Sequence, residues 1–408
     1  MPWQLSFLPD AQPLQWSALP LFGAMLLVGL IGAQIVARIR WIPRITGYLL
    51  IGFALGAGGF NWISADVFEI MHTFADIGIA LLVYQLGRYV DLPWLMREKW
   101  LLLTIVVSSL LSFLLMWLVL EWNGASRPTA MLTALFAIGS SPAIFVAVMR
   151  DVGAEGHVTR RLAATCMLNN FLALLAAYAL LPVLAPEDPQ RMEELIRHAT
   201  YSIGASLLLA WCAYRLMQPM ARWLGRQRQQ QFVLVIGMIA LTLGIAHALQ
   251  LPVLLTMLSF AVLSRNLDRR CDLMDLEFGI VSELFIVLLF VTFGATMRLP
   301  SAPLVLSSVA LLFLARSTAI GGSIFALARP AKLSWRQAAL LAVGSLPVTE
   351  SGLGLVQISA IYPNTVNELH PLFAGTLMLL ELMGPIATKF ALIQSGEGSD
   401  IGKDKGRP

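Results

Sequence analysis

Asp76-Ile-Gly-Ile-Ala-Leu-Leu-Val-Tyr-Gln-Leu-Gly87 and Glu283-Leu-Phe-Ile-Val-Leu-Leu-Phe-Val-Thr-Phe-Gly294 are two copies of one pattern, an acid and a glycine equally spaced around an apolar run. Each copy is followed by a second shared signature, Gly139-Ser-Ser-Pro142 in the first case and Gly344-Ser-Leu-Pro347 in the second. The acids lie 207 positions apart and the glycines that open the second signature 205, so the repeat keeps its register over both features. Working outward, hydrophobic runs fall at about 19–37, 45–57, 69–87, 100–120, 128–149, 162–184, 199–216, 232–248, 252–264, 278–297, 302–327, 335–360 and 372–392. An odd number of spans separates the two copies, so the second half must lie upside down relative to the first. The expectation is an all-α polytopic membrane protein of 13 transmembrane helices, arranged as a 6+1+6 inverted repeat with two discontinuous crossing helices.

Composition agrees with that class. The 408 residues are 58% hydrophobic and only 13% charged, against roughly 25% charged in soluble domains, and mean hydropathy is +0.75. Thirteen spans of ~20 residues use ~260 positions, which leaves short loops. A cytosolic enzyme, a disordered chain and a disulfide scaffold are excluded. The runs are also too long and unalternating for an outer-membrane barrel. Net charge +4 does not point to nucleic acid, because the basic residues are scattered through short loops. On alternate sides they divide 23 to 4, with Arg316 alone inside a span. That asymmetry follows the positive-inside rule, placing the N-terminus outside (periplasmic) and the C-terminus in the cytoplasm. Cys166, Cys212 and Cys271 show no metal or redox spacing.

A Gly-Ser-x-Pro signature inside a span should break the helix. Proline removes an amide donor and clashes with the preceding turn, and glycine lowers helix propensity. Paired breaks in the two halves of an inverted repeat point to a transporter's substrate site. Gly139, Pro142, Gly344 and Pro347 are therefore the expected helix breaks, with Ser140 and Ser141 available as ligands.

Ionisable residues within the runs are functional candidates because charge is costly in a bilayer. Asp76 and Glu283 begin rather polar stretches, so an interfacial position stands beside a functional one for each. Glu381, closely followed by Pro385, reads as a packing or helix-end residue. Arg316 cannot shed its charge and needs a carboxylate, carbonyls or an anion, Glu350 being the natural partner. Run six carries Asn169-Asn170 four residues beyond Thr165. Adjacent helical residues point ~100° apart, so one can face a cavity while the other bonds a neighbouring helix, and interhelical bonding of both is the plainer alternative.

Five stretches carry a family resemblance: Ile42-Pro-Arg-Ile-Thr-Gly-Tyr-Leu-Leu-Ile-Gly-Phe-Ala-Leu-Gly56, Ala75-Asp-Ile-Gly through Asp91-Leu92, Ser140-Ser141-Pro142, Phe290-Val-Thr-Phe-Gly-Ala-Thr-Met297, and Arg316. Together they resemble the second branch of the monovalent cation:proton antiporters, which holds sodium/proton exchangers and potassium-efflux systems. The resemblance covers roughly residues 20–390. It implies a mobile core moving against a dimer-forming scaffold. Scaffold would comprise residues 1–98 and 230–299, core 99–185 and 300–393, linker span 7 with an amphipathic segment 186–229, and a cytoplasmic tail 394–408. It further implies an inner-membrane homodimer in contact with lipid, with a monovalent cation and the proton as its partners, no cofactor and no bound metal beyond that cation.

The family carries an acid in run six where this chain has Asn169-Asn170. Asparagine can ligate a cation but cannot trade it for a proton. Three explanations stay open: coupling lost in the native protein, another acid in its place with Asp76 or Glu350 first, or an Asp-to-Asn variant. The family's Arg-Gly-Glu-Phe pattern in run twelve is also absent. The resemblance makes Asn169, Asn170, Ser140, Ser141, Thr165 and Glu350 the expected ion site, with Arg316 as a structural charge. Anion transport on the same fold, or a non-transporting subunit, are the competing functions. Nothing points to an enzyme: the five histidines are dispersed and the serine-rich breaks lack a nearby base.

Overall fold

The computed structural model describes residues 18–39, 41–56, 58–60, 62, 65–183, 189–225, 227–268, 279–297, 303–348 and 363–398. Among the described residues there are fifteen α-helices, one 3₁₀ turn and no strand. A bilayer offers backbone groups no water, so a spanning segment must close its hydrogen bonds within itself. The apolar runs do so as helices. In order they are α1 (Ala18–Ala37), α2 (Arg44–Leu55), α3 (Ala65–Arg88), α4 (Leu92–Arg97), α5 (Lys99–Trp122), α6 (Arg127–Ala134), α7 (Pro142–Asp151) and α8 (His157–Val183). Then come α9 (Pro189–Leu224), α10 (Arg228–Ala248), α11 (Val253–Asn266), α12 (Gly279–Thr296), α13 (Pro303–Leu327), α14 (Trp335–Gly344) and α15 (Pro363–Gln394).

Among the described residues, six segments are long and apolar enough to cross a membrane: Leu19–Ala37, Lys99–Trp122, Arg127–Asp151, His157–Leu180, Arg228–Ala248 and Ser308–Leu327. Arg44–Leu55, Val253–Asn266 and Ser282–Thr296 are shorter and also apolar. The run expected at 199–216 lies inside the 36-residue α9. The run expected at 335–360 begins as α14 and passes out of the described residues after Val348. The short α4 was not anticipated. It starts where the Asp91 carboxylate accepts from the Trp94 amide at 3.1 Å, with proline in the first turn. That arrangement satisfies one of the orphan donors of a helix start.

Two close contacts tie together parts of the chain that are far apart in sequence. Helices α2 and α12 touch backbone to backbone: a side chain at Gly52 would strike the Val291 carbonyl, and one at Gly294 would strike that of Leu49. Small residues permit such approach between membrane helices. In the second contact, Glu397 folds back after α15 and caps α8. Its carboxylate accepts from the Val158 amide at 2.8 Å, the Thr159 amide at 2.7 Å and the Thr159 hydroxyl at 2.9 Å. The negative charge meets the positive end of the helix dipole.

Candidate functional site

The first break is built from the residues that the sequence singles out. Helix α6 ends at Ala134, a 3₁₀ turn takes Leu135–Ala137, and Gly139 to Ser141 are not helical before α7 starts at Pro142. Proline sits where its missing amide costs nothing, and the Ser141 hydroxyl caps the new helix by accepting from the Ile144 amide at 3.2 Å. The second break opens after α14, at Ser345 to Val348. The two meet directly, the Ser141 amide donating to the Pro347 carbonyl at 3.2 Å.

Breaking two helices in one place orphans carbonyl groups, and Arg316 on α13 collects them. Its Nη1 donates to the Ala137 carbonyl, Nη2 to Gly139 at 2.8 Å and Pro347 at 3.5 Å, and Nε to Leu346 at 3.4 Å. The side chain is fully buried. A guanidinium presents five donors in a planar fork, and here one fork spans both unwound segments. The sequence reading allowed carbonyls, a carboxylate or an anion as its partner, and carbonyls of both breaks are what it meets. Glu350, the expected partner, lies outside the described residues.

Asn169 and Asn170 on α8 face the first break from the side. Asn169 donates from Nδ2 to the Ser140 hydroxyl at 3.0 Å, and its Oδ1 accepts from the Ser109 hydroxyl of α5 at 3.2 Å. Asn170 donates from Nδ2 to two carbonyls, those of Ser140 and, at 2.8 Å, Cys166. Both neighbours are acceptors, so the amide must turn its NH2 toward them. Its Oδ1 is then a buried oxygen with no hydrogen-bond partner. Buried polar atoms without a partner are uncommon, and this one is an acceptor beside a double helix break.

Cavities reach the same residues. One is lined by Ser140, Ser141, Cys166, Gly344, Ser345 and Pro347, around the crossing itself. Another runs between α5, α8, α13 and α14, past Thr104, Ser108, Thr165, Asn169 and Ser345 to Arg161. Arg161 pairs with Glu98 at 2.9 Å. The polar wall on α5 was missed at the sequence level. Its signal was legible, since Thr104, Ser108 and Ser112 recur every four residues and all are buried.

Asp76 and Glu283 stand elsewhere. Asp76 lies 3.4 Å from His247 Nε2, and Glu283 is half exposed at 4.0 Å from Arg44. The structure thus brings together Ser140, Ser141, Thr165, Asn169, Asn170, Arg316 and the break residues, and leaves the two secondary acids apart.

A profile of the family described as "Sodium/hydrogen exchanger, transmembrane" matches residues 23–394, nearly the whole chain. The chain belongs to the sodium/hydrogen exchanger family. Its fold is that of an antiporter. The exchanger-family chain superposes on the sodium proton antiporter MjNhaP1 from Methanocaldococcus jannaschii at pH 8 with a TM-score of 0.65 and 17% identity, over 96% of this chain and 99% of that one. A second structure of MjNhaP1, from electron microscopy, gives a TM-score of 0.72 and 16% identity over 96% and 98%. The chain is therefore a multi-pass membrane protein of an ion-transporting family.

Proposed function

We propose that this protein is a secondary active transporter exchanging Na⁺ or K⁺ for protons by alternating access. It would work as an inner-membrane homodimer of thirteen-span protomers built as an inverted repeat. The observation that carries the reading is the unpartnered Asn170 Oδ1, buried beside the crossing of two helix breaks in a chain of the sodium/hydrogen exchanger family. Neutral oxygens suit a partly dehydrated monovalent cation. Asn170 Oδ1 supplies one, while Ser140 and Ser141 line the cavity at the crossing and Thr165 lines the second cavity beside Asn169. Arg316 holds the breaks in shape without binding cargo. Anion transport loses its main support here, because the guanidinium donors are already directed at four backbone carbonyls.

The test is a proteoliposome assay with an internal pH dye, following proton movement on addition of Na⁺ or K⁺. A cation-driven pH change supports exchange. Flux that follows the anion and leaves internal pH unmoved overturns it. Running the Asn169→Asp/Asn170→Asp double variant alongside asks whether the asparagines hold the protein in a form that cannot exchange.

A further inference from the structure

The cavity between α5, α8, α13 and α14 has a direction and two unlike ends. We propose that it is the passage by which the transported cation reaches the helix crossing from the cytoplasmic side, with oxygens on α5 and α8 as its rungs and the Glu98–Arg161 pair as its mouth. The inference rests on the cation-exchange reading and adds a route and an entrance to it.

Two helices running the same way set the direction. Arg161 Nη2 of α8 donates to the Glu98 carboxylate just before α5 at 2.9 Å, and further along the Ser109 hydroxyl of α5 donates to Asn169 Oδ1 of α8 at 3.2 Å. Arg161, Thr165 and Asn169 follow at four-residue steps on α8, as Thr104 and Ser108 do on α5, and all five line the cavity. At 1.5 Å per residue, the stretch from Arg161 to Asn169 is about 12 Å long. The inner end opens on the crossing, since Ser345 lines both this cavity and the one between the two breaks. The outer end lies at Arg161, Ala331 and Leu333. That is the side to which the division of basic residues assigns the cytoplasm.

The walls suit a cation. The cavity holds about 20 Å³, room for roughly one water, so an ion inside has shed most of its hydration and needs oxygens in exchange. Thr104 Oγ1 donates to the Trp100 carbonyl at 2.7 Å and Ser108 Oγ to the Ile105 carbonyl at 2.9 Å. A hydroxyl has one proton and two lone pairs. With the proton spent inside their own helix, these two buried side chains keep only lone pairs to offer. Asn169 Oδ1, which accepts from Ser109, has a second lone pair as well. The facing wall, Ile320 and Ile324 of α13 and Leu341 of α14, is apolar and confines an ion to the α5–α8 side.

The mouth is an ion pair. Arg161 is tied to Glu98 and also donates to the Ala331 carbonyl at 3.4 Å. The Arg161 side chain is 12% exposed and that of Glu98 32%, so the two charges cancel where water is scarce. Arg97 and Lys99 beside Glu98, and Lys332 beside Ala331, are exposed and screened by salt beyond about 8 Å. A second pair supplies an internal control. Arg160 meets Asp91 at 3.3 Å and stacks over Trp94 at 4.1 Å, one residue from Arg161, yet it is not among the residues that line the passage.

The experiment follows uptake of labelled Na⁺ or Rb⁺ at equal pH into membrane vesicles carrying the full-length protein, with vesicles lacking it as background. Inverted vesicles present the cytoplasmic face and right-side-out vesicles the other, and the half-saturating cation concentration is read for each. Glu98→Gln leaves an uncompensated positive charge at the mouth and Arg161→Gln an uncompensated negative one. The first is expected to raise the half-saturating concentration and the second to lower it, each about twofold or more and in inverted vesicles alone, while Arg160→Gln leaves it unmoved. Within the passage, Thr104→Val keeps the shape and removes the oxygen; it should raise the concentration about threefold or more, with Thr104→Ser within about twofold of the parent. A bridge that only holds helices together impairs Glu98→Gln and Arg161→Gln alike, and a packing role for Thr104 makes Val near normal and Ser impaired. Either result overturns the inference, as do unmoved values or equal shifts in both kinds of vesicle. A parent protein that takes up no labelled cation refutes the exchange reading itself, and the passage with it.

Discussion

Replacing Arg316 by Lys tests whether the guanidinium is the clasp of the crossing. Both side chains carry one positive charge, so the cost of burying charge largely cancels from the comparison and hydrogen-bond geometry remains. Arginine reaches carbonyls on two segments at once, Ala137 and Gly139 on one and Leu346 and Pro347 on the other. An ammonium is a point with three donors and cannot reproduce a planar fork. The variant should keep at most one carbonyl on each segment and release the other two. Losing one well-formed bond to a charged donor costs ~1.5–3 kcal/mol, and losing one of the longer pair about 0.5–1 kcal/mol more. The sum, about 2–4 kcal/mol, corresponds to a fall in melting temperature of roughly 2–5 °C for a chain of this length. The assay is thermal unfolding of the detergent-solubilised protein followed by the fluorescence of its eleven tryptophans. Arg316→Met serves as a second variant that removes both charge and fork. If Arg316→Lys melts within 1 °C of the parent, bridging of the breaks by Arg316 is not what holds them and the reasoning fails.

The two asparagines should respond differently to conversion into acids. Asn169→Asp is expected to cost less than Asn170→Asp, because the Ser140 hydroxyl can turn to donate to a carboxylate at 169, whereas Asn170→Asp sets an oxygen against the Ser140 and Cys166 carbonyls at a further ~1–3 kcal/mol. Melting curves of the two single variants at neutral pH check the order. Glu397→Gln removes the charged cap of α8 and should destabilise by ~1 kcal/mol, visible as faster amide exchange at Val158 and Thr159 by mass spectrometry with the rest of α8 unchanged. Gly52→Val drives a side chain into the Val291 carbonyl and should cost at least ~1–3 kcal/mol, while Gly237→Val, where nothing lies within 4 Å of the added carbon, should be near neutral. Equal melting temperatures for those two would refute the close approach of α2 and α12.

Much of this was legible in the sequence because the bilayer leaves few ways to satisfy a backbone. Apolar runs had to be helices, and proline at 142 after Gly139-Ser-Ser had to start one rather than continue one. That Asn169 and Asn170 lie against Ser140 was also within reach, since polar residues inside spans seek each other. Three things were not. The choice of carbonyls by Arg316 depends on two extended segments crossing, and no spacing encodes the crossing point. The α5 contribution through Ser109 needs the lateral order of helices, which hydrophobic periodicity does not give. The helix-end alternative for Glu381, suggested by Pro385, does not hold, because α15 runs unbroken to Gln394 and buries the acid mid-helix.

The bridging arginine has a consequence for biosynthesis. Ala137 and Gly139 are held by a residue 179 and 177 positions downstream. At roughly 5–20 residues per second of translation, the first broken helix waits on the order of 10–40 s for its clasp. The cap of α8 waits longer, Glu397 lying 239 positions beyond Val158. During that interval the Ala137 and Gly139 carbonyls lack the donor that meets them in the finished fold, and the amino-terminal half expressed alone is expected to be less stable than the whole chain. A nascent chain stalled before α13 is accordingly expected to be a substrate for membrane quality control, and the two halves of the repeat must mature together.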